Sequence, residues 1–478
     1  MNSSARLPIS EMLDIKSVAI IGVSPRMGYY WTHSMVQWPH DLKIWLVSKS
    51  GGEAFGRQIY TSASEIPEDF DYAIVAVPYR FVPEVLRQCA EKGAKGATVF
   101  TSGFSELGSN EGKERETELG ELVHSVPTRV FGPNCMGLMY PKIGMAFMPA
   151  VKQLIGNVGF ISQSGGVAIT VYTACVESGV GFSKVFSFGN AIDITPTELL
   201  DYFTTDEETE AVGIYIEGTK DGRELLRAMR EVAEKKPVVV VKGGRSQEGS
   251  RAVSSHTGAL AGSNEVWDAA FQQANVVMVD TLEALVATLG ILSKCPPPQS
   301  RRVGIIAISG GTSVVYTDLC VESGLEVPNS SPETVTHLRS IMHSVGNAVG
   351  NPIDLAIDYY QESVMTDVIA TAGSDPAFDS LILQADVHNI HQAASIMDAA
   401  EEVEYLWGIM AKAGREVMDS EKKPVLIAIP EVAYPEARMR AWKKFVEAGL
   451  PVFRNVSEAV GALAKACEYY ETRRVREA

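Results

Sequence analysis

Short apolar runs alternate with amphipathic stretches in the first 150 residues. Residues 17–23, 42–47, 72–77 and 97–100 are rich in Val, Ile and Ala, and helix-like patterns such as 82–92 separate them. Uninterrupted apolar runs are typical of buried strands, and strands that alternate with helices predict a parallel sheet covered on both faces. The pattern therefore predicts a doubly wound α/β domain over residues 1–150.

The rest of the chain contains one pattern twice. The copies share four features: 158–166 with 303–311, 175–179 with 320–324, 189–193 with 350–354, and a Lys-Pro pair at 236 and at 423. Cys295 and the three prolines after it separate the copies, since consecutive prolines stop both helices and sheets. Two more doubly wound domains are predicted, over residues 151–297 and 298–478.

The second domain contains an insertion that the third domain lacks. Residues 242–262 are polar and glycine-rich, whereas the third domain has only residues 428–433 at this place. A long loop added to a compact repeat is more often functional than structural. The insertion predicts a mobile functional loop around its single histidine, His256.

The first predicted strand ends in a glycine-bearing turn that includes Gly22, Ser24 and Gly28. Such a turn can place a pyrophosphate on backbone N–H groups at the start of a helix. The full GxGxxG pattern is absent, and no acid closes the second strand at Val47 to bind a nicotinamide ribose. The turn therefore favours a mononucleotide or CoA over NAD.

Each repeat has a strand followed by Ser-Gly-Gly and a helix, at Ser164–Gly166 and at Ser309–Gly311. A helix start offers unpaired N–H groups and a partial positive charge, so two such starts could hold a phosphoryl group without lysine. The alternative is that both are ordinary βα turns. Their repetition beside the insertion favours phosphate binding.

His256 and Glu217 are the candidate catalytic pair. A neutral imidazole can attack a phosphoryl group and release it later. Glu217 follows a predicted strand, at the edge where such sheets bind ligands, and it could orient the ring of His256. An exposed loop histidine and a solvated strand-end acid are the alternatives.

Composition narrows the classes of function. With 42 Lys and Arg against 59 Asp and Glu, the formal net charge is −17, which argues against a nucleic-acid surface. The six cysteines are scattered without metal spacing, so no metal site is expected, and reduced thiols suggest the cytoplasm. Neither a signal peptide nor an apolar run of about 18 residues is found, so no membrane partner is expected.

These motifs resemble those of the NDP-forming acyl-CoA synthetases, relatives of succinyl-CoA synthetase. The most specific match is SSHTGALAG at 254–262, which resembles the family's phosphohistidine loop. The other matching segments are 160–166, 181–183, 187–190, 214–218, 132–137 and 350–354. The resemblance implies a Rossmann-like CoA-binding domain followed by two tandem flavodoxin-like domains of the succinyl-CoA ligase type.

The resemblance also implies roles for individual residues. His256 and Glu217 would be catalytic. The phosphate-binding residues would be Ser162, Ser164, Gly165, Gly166, Gly310 and Gly311. The CoA-binding residues would be Gly22, Ser24, Ser48, Lys49, Val77, Pro78, Ser102, Gly103 and Asn134. Ser48-Lys49 departs from the Asn-Pro that the family usually has after the second strand.

The family's ATP-grasp unit, which binds ATP or ADP with Mg²⁺, has no candidate in this sequence. The resemblance is therefore to the α-type subunit of an ADP-forming acid–thiol ligase, with CoA and a small carboxylic acid as substrates. A separate ATP-grasp β-type subunit is expected, in an α2β2 assembly. A CoA-dependent transferase without ATP synthesis and a non-catalytic CoA-binding regulator are the alternatives. The acyl group is left open.

Overall fold

The computed structural model describes the backbone of residues 6–257, 263–343, 345–397 and 400–477. Within these ranges, side chains are described except those of residues 252, 254–257, 393, 397, 400–403 and 477. The chain forms two compact units, residues 1–176 with 181–280 and residues 177–180 with 281–478. Among the described residues, no helix is both long and apolar enough to cross a membrane.

The first unit begins with a seven-stranded sheet in the order β3-β4-β2-β1-β5-β6-β7. Its strands are β1 (Ser17–Ile21), β2 (Lys43–Val47), β3 (Gly52–Ala54), β4 (Arg57–Tyr60), β5 (Tyr72–Val75), β6 (Gly96–Val99) and β7 (Arg129–Phe131). The helices are α1 (Ile9–Met12), α2 (Tyr30–Val36), α3 (Val82–Glu91) and α4 (Asn110–Ser125). Without the antiparallel edge strand β3, the order is that of a Rossmann fold, as predicted.

A six-stranded sheet completes the first unit, in the order β13-β12-β11-β9-β10-β8. Its strands are β8 (Gly137–Met139), β9 (Ile155–Ser162), β10 (Phe182–Ser187), β11 (Ala211–Ile216), β12 (Val238–Lys242) and β13 (Val277–Val279). The helices after β9 are α5 (Gly165–Glu177), α6 (Pro196–Thr205), α7 (Gly222–Lys235), α8 (Gln247–Thr257) and α9 (Asn264–Ala274). Strand β8 pairs antiparallel with β10, while the other pairs are parallel.

The second unit contains a five-stranded parallel sheet in the order β15-β14-β16-β17-β18. Its strands are β14 (Val303–Ala307), β15 (Ile353–Asp354), β16 (Ser380–Gln384), β17 (Val425–Ala428) and β18 (Val452–Phe453). Its helices are α10 (Leu282–Lys294), α11 (Gly310–Glu322), α12 (Pro332–Ile341), α13 (Glu362–Ser374), α14 (Val387–Met397), α15 (Ala400–Ser420), α16 (Pro435–Glu447) and α17 (Val456–Glu477).

The second and third sheets share one topology. Apart from β8, both have the flavodoxin-like strand order 2-1-3-4-5, so the predicted fold class is confirmed. The domain boundaries at 150/151 and 297/298 stay predictions. Strand β8 lies before the first of them and yet belongs to the second sheet, and the compact units divide at residues 280 and 281.

The apolar strands form the cores that the pattern predicts. In the first sheet, Ala19, Val75 and Val99 are fully buried beneath Leu86 of α3. Because neighbouring strands are parallel, their carboxyl ends meet at one edge of each sheet, and the loops that follow them lie together.

Candidate active site

A cavity of about 550 Å³ lies at the strand ends of the first unit. It is lined by residues 76–79 and 100–102, which follow β5 and β6, and by 134–136, which precede β8. The remaining lining comes from residues 163–166 and 189–190, which follow β9 and β10 of the second sheet. Both sheets of this unit therefore contribute to one binding-sized space.

Four of the predicted CoA-binding residues line this cavity, namely Val77, Pro78, Ser102 and Asn134. Asn134 has a left-handed backbone with φ of 59°, and its N–H donates to the carbonyl of Thr101 at 3.0 Å. This bond ties the segment before β8 to the end of β6. The predicted residues from two distant parts of the sequence are thus brought together.

The other five predicted CoA-binding residues do not line the cavity itself. Gly22 has φ of +104°, and a Cβ atom there would lie 2.2 Å from the carbonyl oxygen of Ala76, so only glycine allows this approach. A Cβ atom on Gly103 would lie 3.0 Å from the ring of Tyr79. Since Ala76 and Tyr79 line the cavity, both glycines lie against residues of its wall.

Ser24, Ser48 and Lys49 lie on the turns after β1 and β2. The hydroxyl of Ser24 accepts from the N–H of Arg26 and caps a short 3₁₀ turn. The hydroxyls of Ser48 and Ser50 are 3.2 Å apart. The ammonium of Lys49 lies 3.6 Å from the centroid of the Phe81 ring, so it is held as an exposed cation by a π face.

The predicted phosphate-binding turn is built around two serines. The hydroxyl of Ser162 is fully buried and donates to the carbonyl of Ser164 at 2.6 Å. Helix α5 begins at Gly165, where a Cβ atom would lie 2.7 Å from Cγ of Met136. Ser164, Gly165 and Gly166 line the cavity, so the start of α5 faces the same space as the CoA-binding segments.

Glu217 is tied to the phosphate turn through its backbone. Its side chain is 5% exposed, and the side-chain oxygen of Gln163 accepts the N–H groups of Glu217 at 2.8 Å and of Gly218 at 3.2 Å. Tyr215 donates its hydroxyl to the Glu217 carboxylate at 3.1 Å. Burial and the neighbouring carboxylate raise the pKa of Tyr215 above its ordinary value, so the hydroxyl keeps its proton.

Lys242 fixes the other side of Glu217. Its buried ammonium donates to the carbonyls of Glu217 at 2.7 Å and of Gly243 at 2.5 Å. Burial lowers the pKa of Lys242, while the charge of Glu217 opposes the effect. The lysine thus joins the candidate acid to the beginning of the insertion.

The insertion that was predicted to be a loop forms helix α8 over most of its length. Arg245, near its start, is anchored: it forms a two-point ion pair with Asp268, and Asn264 donates to its carbonyl at 2.6 Å. Ser246 accepts the N–H of Gly249 at 2.9 Å and so caps the first turn of α8. This cap and the contacts of Arg245 stabilise the start of a helix in a polar, glycine-bearing segment.

His256 lies on the last turn of helix α8. Its side chain, and residues 258–262 after it, lie outside the described residues. Gly310 and Gly311 begin helix α11 in the second unit, where a Cβ atom on Gly310 would lie 3.3 Å from the Asp354 carboxylate. The roles assigned to His256, Gly310 and Gly311, like those of the other candidate site residues, stay predictions.

Sequence reasoning gave no role to Gln163, Asn190 or Glu106. Gln163 and Asn190 line the cavity, and Glu106 receives a hydrogen bond from Asn190 at 2.8 Å. Gln163 and Asn190 lie inside matched motifs, which was the only signal available. Among the described residues, no group of His, Cys, Asp and Glu is arranged to hold a metal ion.

Two family models match the first unit and part of the second. A CoA binding domain matches residues 16–141, and a succinyl-CoA ligase like flavodoxin domain matches residues 155–292. Together with the two sheets, these matches identify a CoA-binding domain followed by a flavodoxin domain of the succinyl-CoA ligase type.

Relatives of full length make the assignment more specific. The alpha subunit of acetate–CoA ligase (ADP-forming) II from Pyrococcus furiosus is 33% identical over 436 residues, covering 87% of this chain and 94% of that one. The alpha subunit of isoenzyme I from the same organism is 34% identical over 470 residues, covering 96% and 97%. The chain belongs to the ADP-forming acyl-CoA ligases, as an alpha-type subunit.

Solved structures agree with this assignment. The dinucleotide-forming acetyl-coenzyme A synthetase 1 of Candidatus Korarchaeum cryptofilum, in complex with phosphate and ADP, is 27% identical with a TM-score of 0.81, covering 96% of each chain. A Pyrococcus horikoshii protein is 28% identical with the same TM-score, covering 97% of this chain and 99% of that one. The predicted family, fold class and enzyme class, an acid–thiol ligase, are confirmed.

Proposed function

We propose that this chain carries the phosphoryl group of the ligase reaction on His256, through acyl-CoA + phosphate + ADP ⇌ carboxylic acid + CoA + ATP. One observation carries the proposal: four of the predicted CoA-binding residues and the start of helix α5 line one cavity. A thioester held by the first sheet would then lie beside a site suited to phosphate.

The first step uses this shared cavity. An oxygen of inorganic phosphate attacks the thioester carbonyl, the carbon–sulfur bond breaks, and CoA leaves as a thiolate that takes a proton. The product is an acyl phosphate. The N–H groups at the start of α5, around Ser164–Gly166, would stabilise the charge on phosphate during this attack.

The second step transfers the phosphoryl group to His256. A ring nitrogen attacks phosphorus, the bond to the carboxylate oxygen breaks, and the acid leaves. Glu217 would accept the ring's other N–H and so hold the tautomer that attacks. Tyr215, Gln163 and Lys242 support this role, because their hydrogen bonds fix both the side chain and the backbone of Glu217.

The last step requires a partner. The relatives named as alpha subunits imply a second subunit. We infer that it is an ATP-grasp β-type chain that binds ADP or ATP with Mg²⁺, in an α2β2 assembly. There an ADP oxygen attacks the phosphorus on His256, and the nitrogen–phosphorus bond breaks to give ATP. A phosphate-binding role for Gly310 and Gly311 and the cytoplasmic location both stay predictions.

The test is transfer of label from ATP. The complex of this chain with its partner is incubated with γ-labelled ATP and Mg²⁺, and acid-labile, base-stable phosphate is sought on this chain. Label is expected on the wild type and not on His256→Ala, while Glu217→Gln slows labelling about 10²-fold or more through loss of ring orientation.

His337→Ala is the matched control, because His337 is exposed on helix α12. It should label like the wild type. Label that persists in His256→Ala, or that never appears on the wild type, would rule out the carrier role. Acetate is the first acid to assay, since both Pyrococcus furiosus relatives are acetate–CoA ligases.

A further inference from the structure

Residues 103–108, here named the Glu106 turn, connect strand β6 with helix α4. The turn follows Ser102, which lines the cavity, and it contains a short 3₁₀ segment, Ser105–Leu107. Gly103 and Gly108 both have positive φ, at 116° and 70°. The conformation of this turn therefore depends on its hydrogen bonds rather than on a regular helix or strand.

The Glu106 carboxylate closes the turn from inside. One oxygen accepts the N–H groups of Gly103, at 2.5 Å, and of Phe104, at 3.0 Å. The other accepts the side-chain amide of Asn190 at 2.8 Å. Although burial opposes it, this set of donors holds the pKa of Glu106 below its ordinary value. The carboxylate is thus charged and fully engaged.

Asn190 joins the turn to the second sheet. Its amide also donates to Glu116 of helix α4 at 2.7 Å, and Glu116 in turn accepts the hydroxyl of Ser105 at 2.6 Å. The backbone N–H of Asn190 donates to the carbonyl of Pro133 at 3.1 Å. Because Asn190 itself lines the cavity, its hydrogen bond to Glu106 links the turn to the cavity wall.

The 3₁₀ segment of the same turn, Ser105–Leu107, lies against helix α8, the helix that carries His256. The Glu106 turn is thus in contact with two parts of the proposed mechanism. Ser102 and Asn190 bring it to the cavity, and Ser105–Leu107 bring it to α8. A change in the turn on one side would be transmitted to the other through a short, hydrogen-bonded segment.

We propose that Glu106 is a positioning residue that couples occupation of the CoA cavity to the placement of helix α8, through the Glu106 turn. Bound CoA would fix Ser102 and Gly103, and the Glu106 carboxylate would fix the rest of the turn. The ordered turn would then hold helix α8, which carries His256, in one position. This inference rests on the proposed function, since it assumes that the cavity binds CoA and that His256 carries phosphate.

Amide hydrogen exchange of the full chain, with and without CoA, tests the coupling directly. In the wild type, CoA should slow exchange in residues 101–109 and also in 247–257. In Glu106→Ala, CoA should still bind, about tenfold more weakly because charge-assisted hydrogen bonds are lost, and residues 247–257 should no longer respond. Glu106→Gln keeps an acceptor for the backbone but turns an amide toward Asn190, so its response should be reduced.

Glu118→Gln is the matched control, because Glu118 is exposed on helix α4 and should behave as the wild type. A response in residues 247–257 that survives in Glu106→Ala at saturating CoA would overturn the coupling, as would a wild type that binds CoA with no change in 247–257. Failure to bind CoA at all would overturn the proposed function first, and this inference with it. Label transfer in the complex should fall about tenfold in Glu106→Ala, and an unchanged rate would also contradict the proposal.

Discussion

Lys236 and Lys423 occupy equivalent positions in the two repeats, and each donates hydrogen bonds to carbonyls at the end of a helix. Lys236 donates to the carbonyls of Phe203 at 2.6 Å and Asp206 at 2.5 Å, at the end of helix α6. Lys423 donates to Gly373 at 2.7 Å and Asp375 at 2.8 Å, at the end of helix α13. Each lysine satisfies carbonyls that a helix end leaves without partners. The repeated Lys-Pro pair therefore marks a shared cap as well as a strand start.

Glu208 gives a prediction about stability and pH. Burial would raise its pKa, but hydrogen bonds from Lys142, Lys184 and Tyr140 lower the pKa of Glu208 from 4.5 to about 2. A folded-state pKa below the unfolded value stabilises the fold above about pH 4.5, and this contribution is lost as pH falls toward 2. Glu208→Gln should therefore lower the free energy of unfolding by about 1–2 kcal/mol at pH 7 and by progressively less below pH 4.5.

Urea unfolding from pH 7 to pH 3 measures this difference. Glu207→Gln is the neighbouring control, because Glu207 is exposed, and it should change little at any pH. A difference between wild type and Glu208→Gln that stays constant with pH would show that the carboxylate charge is not its source.

The hydrogen-bond partners of single residues could not be predicted from the sequence. Asn190 was visible only as part of a motif, because its partners Glu106 and Glu116 lie more than 70 positions away along the chain. Asn351, the matching residue of the third domain, binds the carbonyls of Val303 and Pro328 instead. Since the same residue in the same motif has different partners, its role depends on packing that the repeat does not encode.

At the scale of elements, the glycine turn after β1 gives a sharp prediction. Gly22→Ala would force a Cβ atom to 2.2 Å from the Ala76 carbonyl at a φ of +104°. We expect the free energy of unfolding to fall by about 2–4 kcal/mol, because the turn and the residues after β5 must move apart. CoA binding should be lost for the same reason.

Gly120→Ala provides the matched control, because Gly120 lies on helix α4 with no atom within 4 Å of the added Cβ. It should be neutral or stabilising by up to about 1 kcal/mol. Thermal unfolding and calorimetry with CoA check both variants. Wild-type affinity in Gly22→Ala would show that the close approach is not needed.

The elements themselves were largely predictable, and the insertion was not. Runs such as 17–23 and 82–92 became β1 and α3 with ends shifted by one or two residues. Their apolar periodicity is a local property. Helix α8 has no such apolar stripe, and its start depends on Ser246 and on the pairing of Arg245 with Asp268 beyond the helix. Contacts of that kind arise only once the fold brings the two segments together.

For the whole molecule, the sequence predicts dependence on a partner. Purified alone, this chain should not form acyl-CoA from acid, ATP and CoA, because no nucleotide-binding ATP-grasp unit is found in its sequence. With its partner added, the reaction should proceed at rates typical of enzymes, about 1–10³ s⁻¹. Consumption of free CoA and release of phosphate and ADP are followed in both cases. Robust ATP-dependent synthesis by the single chain would contradict the prediction.

Strand β8 limits how this subunit could be recombined with its relatives. Met139 and Leu138 pair with Val185 and Phe186 of β10, so a segment on the Rossmann side of the sequence forms the edge of the next sheet. A chimera joined at residue 150 would pair β8 of one parent with β10 of the other, whereas a junction between the end of β7 and the start of β8 would keep each sheet within one parent. The exchange boundary that leaves both sheets uncut therefore lies between Phe131 and Gly137, and not at residue 150.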